Sequence, residues 1–154
     1  RSLGVIESTF LRDELCAEII ADGKHLPPKL IKMIVKIKGA DKTLLCTDSL
    51  AIAGTDIKEG VMSGTEFIVE DGVCKLKDRS AFAGSIATAD RLVKVMTKEC
   101  GYDMATAVKM ITETPAKIAK INAGRIEKGK RADIVVFDDD ISVEMTLVNG
   151  QKIG

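Results

Sequence analysis

Histidine occurs once in this chain, at position 25, and aromatic side chains make up only 3% of it. A catalytic zinc site takes about three protein ligands, and one histidine with scattered carboxylates does not supply them. No excess of either charge is present, since Lys plus Arg and Asp plus Glu each number 23. That balance removes the electrostatic argument for nucleic acid or an anionic membrane surface as partner. No apolar run approaches the roughly 18 residues that a bilayer-spanning helix needs, and no charged-then-apolar secretory leader is present. The four cysteines, Cys16, Cys46, Cys74 and Cys100, form no C-x-x-C pair and have no nearby histidine. They read as free thiols, most of them buried, in a reduced, cytoplasmic setting. A dinucleotide fingerprint, a Walker loop, a nucleophile elbow and a Cys–His pair are all missing, as are internal repeats and low-complexity segments.

Aliphatic residues are plentiful, bringing the apolar share to 45%. That is enough for a packed core and argues against disorder. At 154 residues the chain has room for one domain, or for one and part of a second. It opens on Arg1 rather than Met, and its first segment already reads as the interior of a fold, which suggests a piece of something longer.

Residues 3–15 carry apolar positions at helical spacing. The short apolar run 17–22 ends in Asp22-Gly23, a turn signal, and predicts a buried strand. Pro27 and Pro28 suit the first turn of a helix over 29–38. Its sequence, KLIKMIVKIK, turns Leu30, Ile31, Ile34 and Ile37 inward and leaves Lys29, Lys32, Lys36 and Lys38 to reach water by snorkelling. Gly39 ends it. A second apolar strand is predicted at 43–48. Strand, helix, strand in this order makes a right-handed βαβ unit. In such units chemistry gathers beyond the C-terminal ends of the strands.

The middle alternates. Residues 64–78 are split by Asp71-Gly72, which predicts a hairpin with a type I′ turn. Helices are expected at 86–100 with Ser85 as N-cap, at 103–112 from Asp103, and after Thr114-Pro115, with Thr114 as cap. A strand at 132–137 and a final hairpin through Asn149-Gly150 close the chain. Asp138 to Asp140 read as a solvated loop, because three adjacent side chains cannot all face one ion. Two parallel strands cannot close a barrel, and one small hairpin cannot make a sandwich. The pattern therefore requires partner strands that the sequence does not contain.

His25 follows the first strand and Asp48 closes the second. Alone, the histidine reads as a structural hydrogen-bonder and the aspartate as a loop cap. Together, at the same end of neighbouring parallel strands, they form a candidate acid–base and substrate-orienting pair. Gly84-Ser85 precedes a predicted helix, whose free N–H groups could bind an anion, although an ordinary N-cap explains the same residues.

The runs IIADGKH (19–25), LLCTDSLAIAG (44–54), FAGSIATA (82–89), TETPAKIAKI (112–121) and GRIEKGKRADIVVFD (124–138) resemble, in order and separation, the N-acetylglucosamine-6-phosphate deacetylases of the amidohydrolase superfamily. The tail is shared by many amidohydrolases; A-D-G-x-H combined with T-D and A-G-S is the specific part. The resemblance covers essentially the whole chain. It implies an α/β fold: the C-terminal part of a TIM-type (β/α) barrel, with the last two barrel strands and their helices in residues 1–122. The C-terminal strands of a small β-sandwich domain would occupy 123–154.

By the same resemblance Asp48 is the catalytic aspartate. It would take a proton from a metal-activated water and return one to the leaving amine of N-acetylglucosamine 6-phosphate. His25 would contact the substrate, with Asp22, Gly23 and Lys24 in the same loop, and Phe82, Ala83 and Gly84 would touch the sugar. Arg1 would reach the phosphate of a substrate in a neighbouring subunit, which implies a homodimer or larger assembly. The divalent metal, zinc by the resemblance, would have its ligands upstream of Arg1, together with the missing N-terminal half of the barrel, so that the chain alone would be inactive. Ser49 and Leu50 stand where the family often has Ala or Met, a mild departure that leaves the carboxylate in place. Two other readings stay open: a dihydroorotase-like or dipeptidase-like amidohydrolase, and a non-catalytic binding module.

Overall fold

The computed structural model describes residues 2–153, so Arg1 and its expected phosphate contact lie outside the described residues. Helix α1 (Val5–Leu11) leads into strand β1 (Ala17–Ile20), helix α2 (Pro28–Lys38) and strand β2 (Thr43–Cys46). The two strands pair in parallel, Ala17 with Thr43 through to Ile20 with Cys46. Alternation decides their faces. Ala17 and Ile19, with Thr43 and Leu45, are buried on the helix-covered side, while Glu18 on the opposite side is exposed and Leu44 and Cys46 are half-buried. The described residues thus hold a two-stranded parallel sheet with one face covered by helices and the other half open.

Helix α2 begins with proline at its first position and ends at Gly39, whose N–H donates to Val35 O at 2.8 Å. Its inner face is Ile31, Ile34 and Val35; Ile37, expected inside, is exposed. Lys38, expected to snorkel, is buried instead. Its Nζ donates to Thr9 O at 2.9 Å and Arg12 O at 2.7 Å. These carbonyls stand at the end of α1, where the helix dipole favours a cation. This anchor holds α1, which has no buried residue of its own.

Between β2 and the next helix, the single expected hairpin is the middle of a four-stranded antiparallel sheet: β3 (Glu59–Met62), β4 (Thr65–Glu70), β5 (Val73–Leu76) and β6 (Phe82–Gly84). The Asp71-Gly72 turn has both φ values positive, 53° and 75°, as a type I′ turn requires. The outer strands left no sequence signal, because β3 has no buried residue to alternate and β6 is three residues long.

Helix α3 (Ala89–Lys94) begins after Thr88, not at Ser85, and continues as a π-helical turn over Val95–Glu99. Ser85 is fully buried, and its hydroxyl accepts from the Ala87 amide at 3.0 Å. The Gly84-Ser85 pair therefore does not stand at a helix N-terminus, and the anion-binding reading of it falls. Helix α4 (Met104–Ile111) is capped as expected, with Asp103 Oδ1 accepting from Thr106 N at 2.9 Å. Helix α5 (Glu113–Ile118) is not capped by Thr114. That residue lies buried inside the first turn and its hydroxyl donates to Ala40 O at 3.0 Å, tying α5 to the loop before β2.

Strands β7 (Ile134–Phe137), β8 (Val143–Val148) and β9 (Gln151–Ile153) form the last antiparallel sheet, with Asn149-Gly150 at the hairpin turn. Asp138 organises the loop after β7: its Oδ1 accepts from the amides of Asp140 and Ser142 at 2.9 and 2.8 Å. The loop drives Ile141 into the main core at φ 61°. A β-branched residue holds that left-handed backbone only where burial compensates for it. The same core joins α2, β1, β2, α3, the π-turn and α4. Among the described residues no helix is long and apolar enough to cross a membrane.

Candidate active site at the strand ends

Asp22 and Asp48 each lie two residues past the last pair of β1 and β2, Ile20 with Cys46. They leave the sheet from the same end and then differ. Asp22 is 1% exposed. One of its oxygens accepts from the amides of Lys24 and His25, both at 2.9 Å, and the other meets His25 Nδ1 at 2.9 Å. Burial works against its charge, but the His25 and Lys24 amides and the His25 ring outweigh it and hold the carboxyl below its ordinary value. Its side chain is thus engaged by its own loop. Asp48, at φ 47°, is exposed, and its carboxylate forms no hydrogen bond or ion pair among the described residues.

His25 is held from a second side by Phe82, ring centroids 5.3 Å apart and 66° between planes, an edge-on contact. Its Nε2 has no hydrogen-bond partner among the described residues. Lys24, beside it, is exposed. Gly23, at φ 73°, turns the chain so that the two following amides point back at Asp22. A Cβ on it would lie 3.3 Å from a Val95 methyl in the π-helical turn.

The 82–85 segment joins the two aspartate loops. Phe82 touches His25; Ser85 bridges to Ser49 in parallel and accepts from Leu50 N at 2.9 Å; the Ser49 hydroxyl donates to Ala87 O. Gly84 lies against Leu50, and a Cβ there would come within 2.8 Å of Leu50 Cγ. A cavity of 410 Å³ opens beside Phe82, Ala83 and Leu50. A larger one of 680 Å³, mostly apolar, lies between α3, α4 and the last sheet, and no candidate site residue lines it.

Arg91 is a residue that sequence reasoning missed. Its Nε donates to Asp22 O at 3.1 Å and its Nη1 to Gly72 O at 2.7 Å, clamping the hairpin tip to the His25 loop. Its partners are 69 and 19 residues away, and no local pattern marks such a contact. All four cysteines are free, and burial, with the Glu18 and Asp48 carboxylates nearby, pushes the Cys46 thiol up to about 11. Among the described residues no group of three His, Cys, Asp or Glu side chains could hold a metal ion. The set present, one fixed imidazole and one free carboxylate, suits proton transfer and substrate orientation.

The model of the amidohydrolase family matches residues 4–153. The chain belongs to the amidohydrolase family. Among curated members, an N-acetylglucosamine-6-phosphate deacetylase of Lysinibacillus sphaericus is 30% identical over 98% of this chain and 39% of that protein. An N-acetylgalactosamine-6-phosphate deacetylase of Shewanella sp. (strain ANA-3) is 29% identical over 99% of this chain and 39% of that protein. The crystal structure of an N-acetylglucosamine-6-phosphate deacetylase from Pasteurella multocida superposes with a TM-score of 0.91 at 33% identity, over 99% of this chain and 40% of that one. This amidohydrolase chain thus spans about 40% of the length of these relatives.

Proposed function

We propose that this chain carries the acid–base and substrate-contacting portion of an N-acetyl-sugar-phosphate deacetylase. The reaction is hydrolysis of the N-acetyl group of N-acetylglucosamine 6-phosphate, giving glucosamine 6-phosphate and acetate. The observation that carries the reading is the free carboxylate of Asp48 beyond β2, set against a histidine fixed beyond β1, with the 82–85 segment touching both loops. Asp48 accepts a proton as water attacks the acetyl carbonyl and returns one to the leaving nitrogen. His25 and Lys24 meet the polar groups of the substrate, and Phe82, Ala83 and Gly84 lie along the sugar. Arg1 reaches the phosphate bound by a neighbouring subunit, so the active assembly is a homodimer or larger, in the cytoplasm.

Residues 1–122 are then the C-terminal part of a TIM-type barrel and 123–154 the C-terminal strands of a small β-sandwich. The upstream strands cover the half-open face of the β1–β2 sheet. A divalent ion such as zinc would be held by residues outside this chain.

The test is acetate release by a polypeptide that restores the upstream sequence. Asp48→Asn is expected to cut turnover at least ~100-fold, the lower end for a positioned acid–base group. Near-normal turnover in that variant would remove Asp48 from the chemistry. The galactose epimer is the second reading, favoured by the name of the Shewanella relative. Both sugar phosphates, with a dipeptide and a cyclic ureide as controls, separate these readings from other amidohydrolase activities.

A further inference from the structure

We propose that Asp22 is a positioning residue that fixes the tautomer and direction of His25, so that Nε2 is presented to the ligand as a hydrogen-bond acceptor. Its carboxylate is turned into its own loop. The side chain is 1% exposed, and its two oxygens are engaged by three donors, all at 2.9 Å.

Two of those donors are backbone amides, which favour the charged carboxylate, and an ionised carboxylate can only accept. The 2.9 Å contact to His25 Nδ1 is therefore Nδ1–H donating to Asp22 Oδ2. With that proton placed, a neutral ring carries its lone pair on Nε2, which has no partner among the described residues. An aspartate holding Nδ1–H of a histidine is a recurring way to set which nitrogen does the work.

The carboxylate is itself held. Arg91 Nε donates to the Asp22 carbonyl at 3.1 Å, and Val95 of the π-helical turn closes on Gly23 from behind. Phe82 packs edge-on against the ring from another side, with centroids 5.3 Å apart. The imidazole is thus oriented before any ligand arrives, which lowers the ordering cost that binding would place on it. A hydroxyl or amide N–H of the ligand is the donor that suits Nε2. Its assignment to an acetamido sugar phosphate rests on the proposed function; the tautomer does not.

Because His25 is the chain's one histidine, ring-¹⁵N labelling and a long-range ¹H–¹⁵N correlation read a single imidazole. Above the pH at which the ring takes up a second proton, the expected result is a predominance of the Nδ1–H form. Asp22→Ala should shift the tautomer ratio about tenfold toward Nε2–H, the size expected of one charge-assisted hydrogen bond, and Asp22→Asn should restore part of it. An Nε2–H majority in the unaltered chain overturns the proposal without any variant, as does a folded Asp22→Ala protein that keeps its Nδ1–H preference. In the polypeptide with the upstream sequence restored, Asp22→Asn should raise KM more than it lowers kcat. Absence of deacetylation there, with the tautomer result intact, defeats the substrate reading and leaves the positioning role standing.

Discussion

Asp22 and Asp48 occupy matching places beyond β1 and β2, and their surroundings give them opposite duties. Asp22 is shut in by its own loop and held below the ordinary carboxylate value, because amide and ring donors outweigh the cost of burial. The sign of its pH dependence follows. A carboxyl whose folded pKa is depressed contributes stability above its unfolded value, about 3.9, and loses it as pH falls through the lower folded value. Other carboxylates are depressed too, among them Asp103 and Asp138. Comparison with Asp22→Asn isolates the share of Asp22. Acid unfolding followed by circular dichroism should show the unaltered chain more stable than the variant at pH 6, with the gap narrowing as pH falls below about 4. A gap that stays constant across this range would mean that the Asp22 charge contributes nothing to the fold. His25 and Asp48 were legible in the sequence because each closes an apolar strand. The role of Asp22 was not legible, because a D-G pair reads as a turn and nothing in it says which way the carboxylate points.

At the scale of elements, the βαβ unit could be read from apolar runs and two prolines, and the register bears out the parallel pairing. The Asp71-Gly72 and Asn149-Gly150 hairpins were readable because their turns demand particular residues. Helix starts at Ser85 and Thr114 were misplaced for different reasons. The Ser85 hydroxyl accepts from the Ala87 amide two residues on, a local turn that resembles a cap, whereas the Thr114 hydroxyl donates to the distant Ala40 O. Arg91 is the element-scale device that no pattern announced. It ties α3 to the hairpin tip and to the His25 loop through two carbonyls. Arg91→Met should cost about 1 to 2 kcal/mol and speed amide exchange at Lys24 and His25, whose protection depends on the Asp22 loop staying in place. Unchanged exchange at those amides would show that the π-helical turn alone holds the loop.

At the scale of the molecule, the chain builds two strand ends carrying the candidate site, and it leaves apolar surface that its own residues do not cover. The β1–β2 sheet is half open on one face, α1 exposes Val5, Ile6 and Leu11, and an apolar cavity of 680 Å³ separates α3 and α4 from the last sheet. Strand count made the open sheet legible beforehand. The apolar cavity was not legible, since it depends on how the last sheet packs on the helices. A polypeptide about two and a half times as long, as in the relatives of which this chain spans about 40%, has the material to cover these surfaces. The most direct measurement is acetate release from N-acetylglucosamine 6-phosphate with zinc added, by the 154-residue chain and by a longer polypeptide that adds the proposed upstream portion. Release by the longer polypeptide and none by the chain alone is the expected pair of results. Turnover by the chain alone would mean that the whole reaction centre is built from these residues, contradicting the proposed division of the site between this chain and further sequence.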